Sequence, residues 1–514
     1  MNAKFIGFLR NYVDRILIAL MLVLHLLPIW LLPYYPTQDG PSHIANAVIV
    51  KEYAQHDIYQ EYFQLNLKPV PNWFSHAAMA LFMFFTPPLI AEKLLLTLYA
   101  ILFPISLFYF VDAVHRGKYM LGFIGFIFMY NYLLHMGFYN FAFSVPMYFI
   151  AVGYWWKHRA SFGSRRQLIL NLLFIFTYFC HLVSLVLAIA TVLLLAITTL
   201  RRSNLKSRLL LPVTLIPSYV LPWWYLSYRP ANPGNRWSFQ DLYTYFIKIG
   251  SIATYTDQQW VSRFLLSVLV AVLIYTFIDR FNIFRWDAAR KRFKLVFRAS
   301  DNFYLVFAML MFAYFVAPDG MSGGGFITTR LCLYPLLALL PALNQDYRRP
   351  FRYILGGAII ALVLLQLQMN VRYHKTFSDT LAEYGSGTSV IEHNKVLMGL
   401  SFNSNGSFTG NRTDVFGHAI GYYAAETRGV DVDNYEATTD YFPVKFNPEL
   451  SSRGRPDFEG RDTESGEPVN RVDYIVTWRM DLNLPVAGRI QEQYQQIYAS
   501  DSQRLRIFAR KKGL

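Results

Sequence analysis

Apolar runs of about 18 residues or more recur along this chain, and a run of that length folds stably as a helix in lipid or inside a large apolar core. The expected spans, several of them shorter than this, fall at roughly 14–33, 89–112, 119–135, 138–156, 166–181, 182–200, 208–227, 261–279, 302–317, 331–344 and 353–371. They set the fold class: a mainly α, polytopic transmembrane helical bundle of about eleven spans, with 12–13 as the upper count. The segment 166–200 reads either as two helices or as one bent helix. Only 16% of the 514 residues are charged, against about a quarter in a soluble domain.

The formal charge is +15, which raises nucleic acid as a partner. The placement of the charge removes it. Lys and Arg concentrate in short loops between apolar runs: HRGK (115–118), KHRASFGSRR (157–166), RRSNLKSR (201–208), RFNIFRWDAARKRFKLVFR (280–298) and QDYRRPFR (345–352). With a cytoplasmic N-terminus and eleven spans, all five loops fall on the cytoplasmic side, the orientation bias of polytopic membrane proteins. The first run has no small-residue cleavage site after it and reads as an uncleaved helix. The two cysteines, Cys180 and Cys332, both lie in apolar runs and suggest neither a disulfide framework nor a metal site.

This orientation gives the opposite face a long first outer loop (34–88), the HMGFYN turn, the 228–260 loop, APDGMSGGGFITTR, and everything after Arg372. The run NWFSHAAMALFMFF (72–85) is only about 14 residues long and precedes Thr86-Pro87-Pro88. It reads as a re-entrant or surface-lying helix, because a crossing would reverse the side of every later loop. IANAVIVKEYAQHDIYQEYF reads as an amphipathic helix on the membrane surface. The expected domains are 1–372, the membrane part including the first outer loop, and 373–514, a small non-cytoplasmic soluble domain of α/β type. Strand-like runs occur in the latter at VLMGLSF, VDYIVTW and LRIFARK.

The chemistry-bearing candidates sit at the ends of the spans. Asp39, in TQDGPSHIANA, lies about six residues past the first run and can serve as a general base; its structural alternative is an Asx-turn before Gly40-Pro41. His43 can hold that carboxylate, bind substrate or ligate a metal, or it is simply a His in the first helical turn with Ser42 as N-cap. Arg330, after a Gly run, suits a lipid-linked phosphate as a forked donor, or snorkels at the interface. Asp319 is a second acidic candidate or a loop cap. His181 is ionisable within an apolar stretch and is either a substrate contact or a packing group. Asn140 reads as a helix-packing amide, and Asp257, Arg229 and Arg236 as unspecific outer-loop groups. VDVDNYE (430–436) lacks the full calcium-loop pattern.

The arrangement resembles the GT-C superfamily of membrane glycosyltransferases: a first helix, a long outer loop opening on an acidic residue, surface helices, many spans and a C-terminal outer domain. TQDGPSHIANA matches the position of that family's catalytic acid residue, while GFYNFAFSVP, FCHLVSLVLA and TTRLCLYPLLALLP look like segments that recur in bacterial polytopic proteins of this type. The resemblance implies sugar transfer from a polyprenyl-phosphate-linked donor to a glycan, lipid or protein acceptor at the outer face of a bacterial plasma membrane. It implies Asp39 as the catalytic base, with a divalent cation (Mg or Mn) as a conceivable cofactor. His43, Arg330, Asp319 and His181 are the expected substrate-binding groups. The family often pairs acidic residues in this loop; here Asp39 stands alone. A polysaccharide polymerase or ligase, an export-assembly protein and a transporter remain as alternatives. A transporter would show related halves and midplane charges, whereas no internal repeat and few midplane charges are seen.

Overall fold

The computed structural model describes residues 3–229, 234–281, 286–287, 292–293, 298–321, 324–402, 411–448 and 472–512. The basic loop 280–298 lies mostly outside the described residues, as do Ser322 and Gly323 of the Gly run. Six described helical stretches are long and apolar enough to cross a membrane: Tyr12–Trp30, Pro88–Val114, Arg202–Ser227, Thr256–Asp279, Ala299–Val316 and Arg349–Val390. Leu182–Thr198, Ile327–Leu343 and Met120–His135 are apolar but shorter. Only 22% of the most apolar window of Tyr12–Trp30 is buried, so most of that apolar surface needs a solvent other than water. The chain therefore has the helices of a membrane protein.

The chain divides into two compact units. One consists of Met1–His25, Tyr99–Leu133 and Phe141–Asn370, the other of Leu26–Leu98, Leu134–Asn140 and Val371–Leu514.

The first unit is a helical bundle. The 166–200 stretch forms two helices, Ser164–Cys180 and Leu182–Thr198. His181 separates them with extended backbone (φ −164°, ψ 132°) and its side chain accepts from the Val183 N–H, so it acts as a helix cap. The 208–227 stretch is broken into short helices, with Pro212, Pro217 and Pro222 each removing a backbone donor. Hydroxyl and amide groups join helices across the apolar interior: Tyr148 with Thr191 (2.9 Å), Ser184 with Tyr334 (2.5 Å), Ser218 to Asn171 (2.6 Å) and Gln258 to Asn370 (2.7 Å). Such bonds hold membrane helices together where no hydrophobic force separates helix from lipid. Cys180 and Cys332 are both buried.

The second unit contains a five-stranded sheet. Val396–Ser401 pairs in parallel with Val430–Asp431 on one side and Tyr474–Trp478 on the other; Leu505–Arg510 then pairs antiparallel with Tyr474–Trp478 and with Tyr494–Ala499. The central strand Tyr474–Trp478 is buried at every position, as its unbroken apolar run requires. The three runs read as strands above are strands; Val430–Asp431 and Tyr494–Ala499 were not anticipated.

The 34–88 segment, grouped above with the membrane domain, belongs to this unit together with the C-terminal segment. Phe63–Leu65 pairs antiparallel with Val444–Phe446, and the Gly40–Glu52 helix packs on Ile420–Thr427 and on Phe74–Phe82. Two expectations for the Gly40–Glu52 helix change as a result. The helix expected to lie amphipathically on the membrane surface begins at Gly40 and is buried at 11 of its 13 residues. A helix apolar nearly all round, as IANAVIV is, has no water face to present. Ser42 is not its N-cap but lies within the helix, with its hydroxyl buried and unbonded. The 72–85 run forms a helix of nine residues, Phe74–Phe82, about 13 Å long and too short to cross a hydrocarbon core. The last long helix, Arg349–Gly385, runs 13 residues past Arg372, so no linker marks the start of the C-terminal segment.

Candidate functional site

The backbone around Asp39 is fixed by a turn far along the chain. The Gln38 and Asp39 N–H groups donate to the carbonyls of His135 and Met136 (3.0 and 3.1 Å). That approach needs Gly137: it sits at φ +85°, and a Cβ there would lie 2.7 Å from the Asp39 nitrogen. Gly40 is required for a different reason. A Cβ on it would fall on Thr37 Oγ1 and Tyr139 Oη, beside Glu92 Oε1. These three groups form a buried relay in which Tyr139 donates to Glu92 and Thr37 donates to Tyr139 (2.9 Å). Thus "DG" here is less a turn signal than a position from which everything but hydrogen is excluded.

Asp39 precedes the helix, yet its carboxylate caps no helical N–H. Its Oδ2 accepts from the Tyr435 hydroxyl (3.0 Å), and its Oδ1 accepts weakly from Gln38 Nε2 (3.4 Å). His418 Nε2 stands 3.8 Å from Oδ1, and its ring leans on Tyr435 with centroids 4.7 Å apart. Asp39 is 5% exposed, and its hydrogen bonds are too few to offset the lost hydration. Burial pushes its pKa up, the His43 charge and the Tyr435 bond pull it part of the way back, and it comes to rest at about 6. The Asx-turn alternative would have spent the carboxylate on the local backbone; here it faces other side chains.

His43 lies one helical turn on, its N–H donating to the Asp39 carbonyl (3.1 Å). Its Nδ1 is 3.1 Å from His76 Nε2 and 2.7 Å from Glu436 Oε1, and His76 Nε2 is 2.7 Å from Glu436 Oε2. All three residues are buried. Burial alone would raise the Glu436 carboxyl, but the two imidazoles outweigh it and hold it well below the usual range. Burial pulls both imidazoles down. For His43 the Glu436 charge, with the Asp39 charge behind it, wins and its pKa rises; His76, further opposed by His43, is lowered. These three side chains are the described group able to hold a metal ion.

Each arm of the cluster is held separately. Asn140 accepts from the Ser75 N–H (2.8 Å) and donates to the Asn72 carbonyl (2.9 Å), which sets the start of the helix carrying His76. Asn46 and Asn434 exchange amide hydrogen bonds (3.2 and 2.7 Å), which locks the turn carrying Tyr435 and Glu436 onto the helix carrying His43.

The remaining candidates belong to the first unit. Asp319 closes its own segment: its Oδ1 accepts from the Thr328 N–H (3.1 Å) and its carbonyl from the Ile327 N–H (2.9 Å). Arg330 donates to the Gly325 carbonyl (2.5 Å) and lies over the Phe141 ring (5.5 Å), against which His181 also packs edge-on (5.2 Å). Phe141 therefore joins Arg330 and His181. His76, Glu92, Tyr139, Tyr435 and Glu436 were not singled out individually by sequence. Tyr435 and Glu436 lay in VDVDNYE, which was weighed as a calcium loop, and Tyr139 lay in GFYNFAFSVP, noted only as a recurring segment. No family model matches the chain, and no curated protein is significantly similar to it in sequence.

Proposed function

We propose that this chain is an integral membrane glycosyltransferase in which Asp39 is the general base. The donor is a polyprenyl-phosphate-linked sugar and the acceptor a hydroxyl-bearing glycan, lipid or protein. The Asp39 carboxylate takes the proton from the acceptor hydroxyl, whose oxygen bonds to the anomeric carbon. The bond from that carbon to the phosphate oxygen breaks, and the lipid phosphate leaves with the electron pair. The observation that carries this reading is the state of Asp39: buried, uncommitted to a helix cap, and raised to about 6, so that it is ionised at neutral pH yet basic enough to accept a proton. Arg330, in the first unit, is proposed separately as a phosphate-binding group, because its guanidinium offers a fork to phosphate oxygens. The proposed topology has eleven spans, a cytoplasmic N-terminus and Asp39 and the C-terminal segment on the outer face.

Asp39→Asn preserves shape and abolishes basicity. Transfer of labelled sugar in membranes should fall about 10²–10⁴-fold while donor lipid is retained. Unchanged transfer would remove Asp39 from the chemistry. Single cysteines at Gln240 and Asp501 should react with an impermeant label in intact cells, and those at Arg165 and Lys206 should not. Labelling at Arg165 would overturn the topology.

A further inference from the structure

We infer that His43, His76 and Glu436 form a three-ligand site for a divalent cation of the zinc class. The inference goes beyond the transferase reading and does not rest on it. The ligand atoms are His43 Nδ1, His76 Nε2 and a Glu436 carboxylate oxygen, all within 4.8 Å of one another. They come from three separate elements: the Gly40–Glu52 helix, the Phe74–Phe82 helix and the Tyr435–Thr438 turn. Their relative exposures are 2%, 0% and 0%. Two imidazoles and a carboxylate buried together present three lone-pair donors to one point, and something positive must sit among them.

One proton accounts for the hydrogen bond between His76 Nε2 and Glu436 Oε2 (2.7 Å), but not for the rest of the cluster. Glu436 Oε1 is 2.7 Å from His43 Nδ1 but has no hydrogen-bond partner, because the approach is out of line with an N–H donor. The two ring nitrogens face each other at 3.1 Å, where two N–H hydrogens would crowd. A cation bonds without that directional demand. Four ligands at ordinary zinc bond lengths stand about 3.3 Å apart. The nitrogen pair is already near that spacing, and the two nitrogen–oxygen contacts need to open by about half an ångström. The outer nitrogens, His43 Nε2 and His76 Nδ1, are also buried without a hydrogen-bond partner. The Gly137 carbonyl stands by the first ring and the Asn72 carbonyl by the second. If the outer nitrogens carry the protons, the inner ones are free to ligate, which is the usual arrangement for metal-bound histidine.

The donor set selects the ion. Magnesium prefers oxygen ligands and keeps its waters, whereas two imidazoles with one carboxylate suit zinc and its neighbours. Three protein ligands leave a fourth position for water or a substrate oxygen. The ion would also tie together residues 33 and 360 positions apart, closing long loops of the second unit.

The test uses the full chain purified in detergent through a histidine-free tag. Expression with added zinc should give about one zinc per chain by mass spectrometry of the metal. Chelation should lower the thermal midpoint, zinc should restore it, and cobalt(II) should give the intense visible bands of a four-coordinate site. Glu436→Gln and His76→Gln should each lose the metal. Should those variants misfold, the zinc content and the cobalt spectrum of the wild-type chain decide the matter. Less than a tenth of an equivalent of zinc, with no thermal response to chelator or zinc, would overturn the site and leave a carboxylate bridging two imidazoles. A thermal response to magnesium but not to zinc would overturn the assigned ion.

Discussion

The Asp39 cluster and the Arg330 segment are both polar, glycine-bearing stretches, but they are satisfied in opposite ways. Around Arg330 the partners shown are mostly local: Asp319 bonds to Thr328 and Ile327, and Arg330 to Gly325. Around Asp39 they are distant: Tyr435 is 396 positions away, and His76 and Glu436 are 360 apart. A local turn can be replaced by another turn. A cluster drawn from three separated segments exists only in the folded chain, and its members can be tuned by burial as no loop residue can.

This contrast predicts unequal sensitivity. Glu436→Ala leaves two buried imidazoles without their counter-charge and should cost about 3–5 kcal/mol. Asp319→Asn keeps an oxygen to accept from Thr328 and should cost about 1 kcal/mol or less. Thermal unfolding in detergent reads both, and equal losses would break the comparison. The next effect concerns binding. Arg330→Ala removes a charged fork worth about 1.5–3 kcal/mol and should weaken donor-lipid affinity about tenfold or more. Arg330→Lys should lose less, since it keeps the charge. Donor affinity unchanged in Arg330→Ala would confine Arg330 to a structural role, through contacts such as those with Gly325 and Phe141.

Much of the scaffold was legible because it is written in short-range patterns. Apolar runs marked the six helical stretches long enough to cross a membrane, and short strand-like runs marked three strands of the sheet. The nine-residue helix at 74–82 followed from the length of its run and the prolines after it. Surface placement of the Gly40–Glu52 helix did not follow, because the pattern records apolarity and not which neighbour covers it. Asp39 stood out in the sequence by its position behind the first apolar run. Its partners did not: His76 stands in an ordinary apolar helix, and Glu92 and Tyr139 lie in apolar runs with no local spacing to mark them. Glu436 stood in a stretch that was noticed but compared with a calcium loop, because its histidine partners lie hundreds of residues away. Positions that meet only through tertiary structure leave no periodicity to read.

The most direct test of Asp39 as base is the pH dependence of a single turnover with donor lipid already bound. The sign follows from its raised pKa: the working form is the carboxylate, so the rate should be full at neutral pH and fall as pH drops through about 6. A cation in the neighbouring cluster would draw that midpoint lower. Ionised Asp39 is also held at a cost to the fold, because a raised native pKa means that stability increases as pH falls from about 6 towards the unfolded value. Asp39→Asn should therefore be at least as stable as the wild type at pH 7, while its turnover is slower by about 10²–10⁴-fold and flat across this range. A wild-type rate in Asp39→Asn, with the same acid limb, would place the base elsewhere and contradict the account.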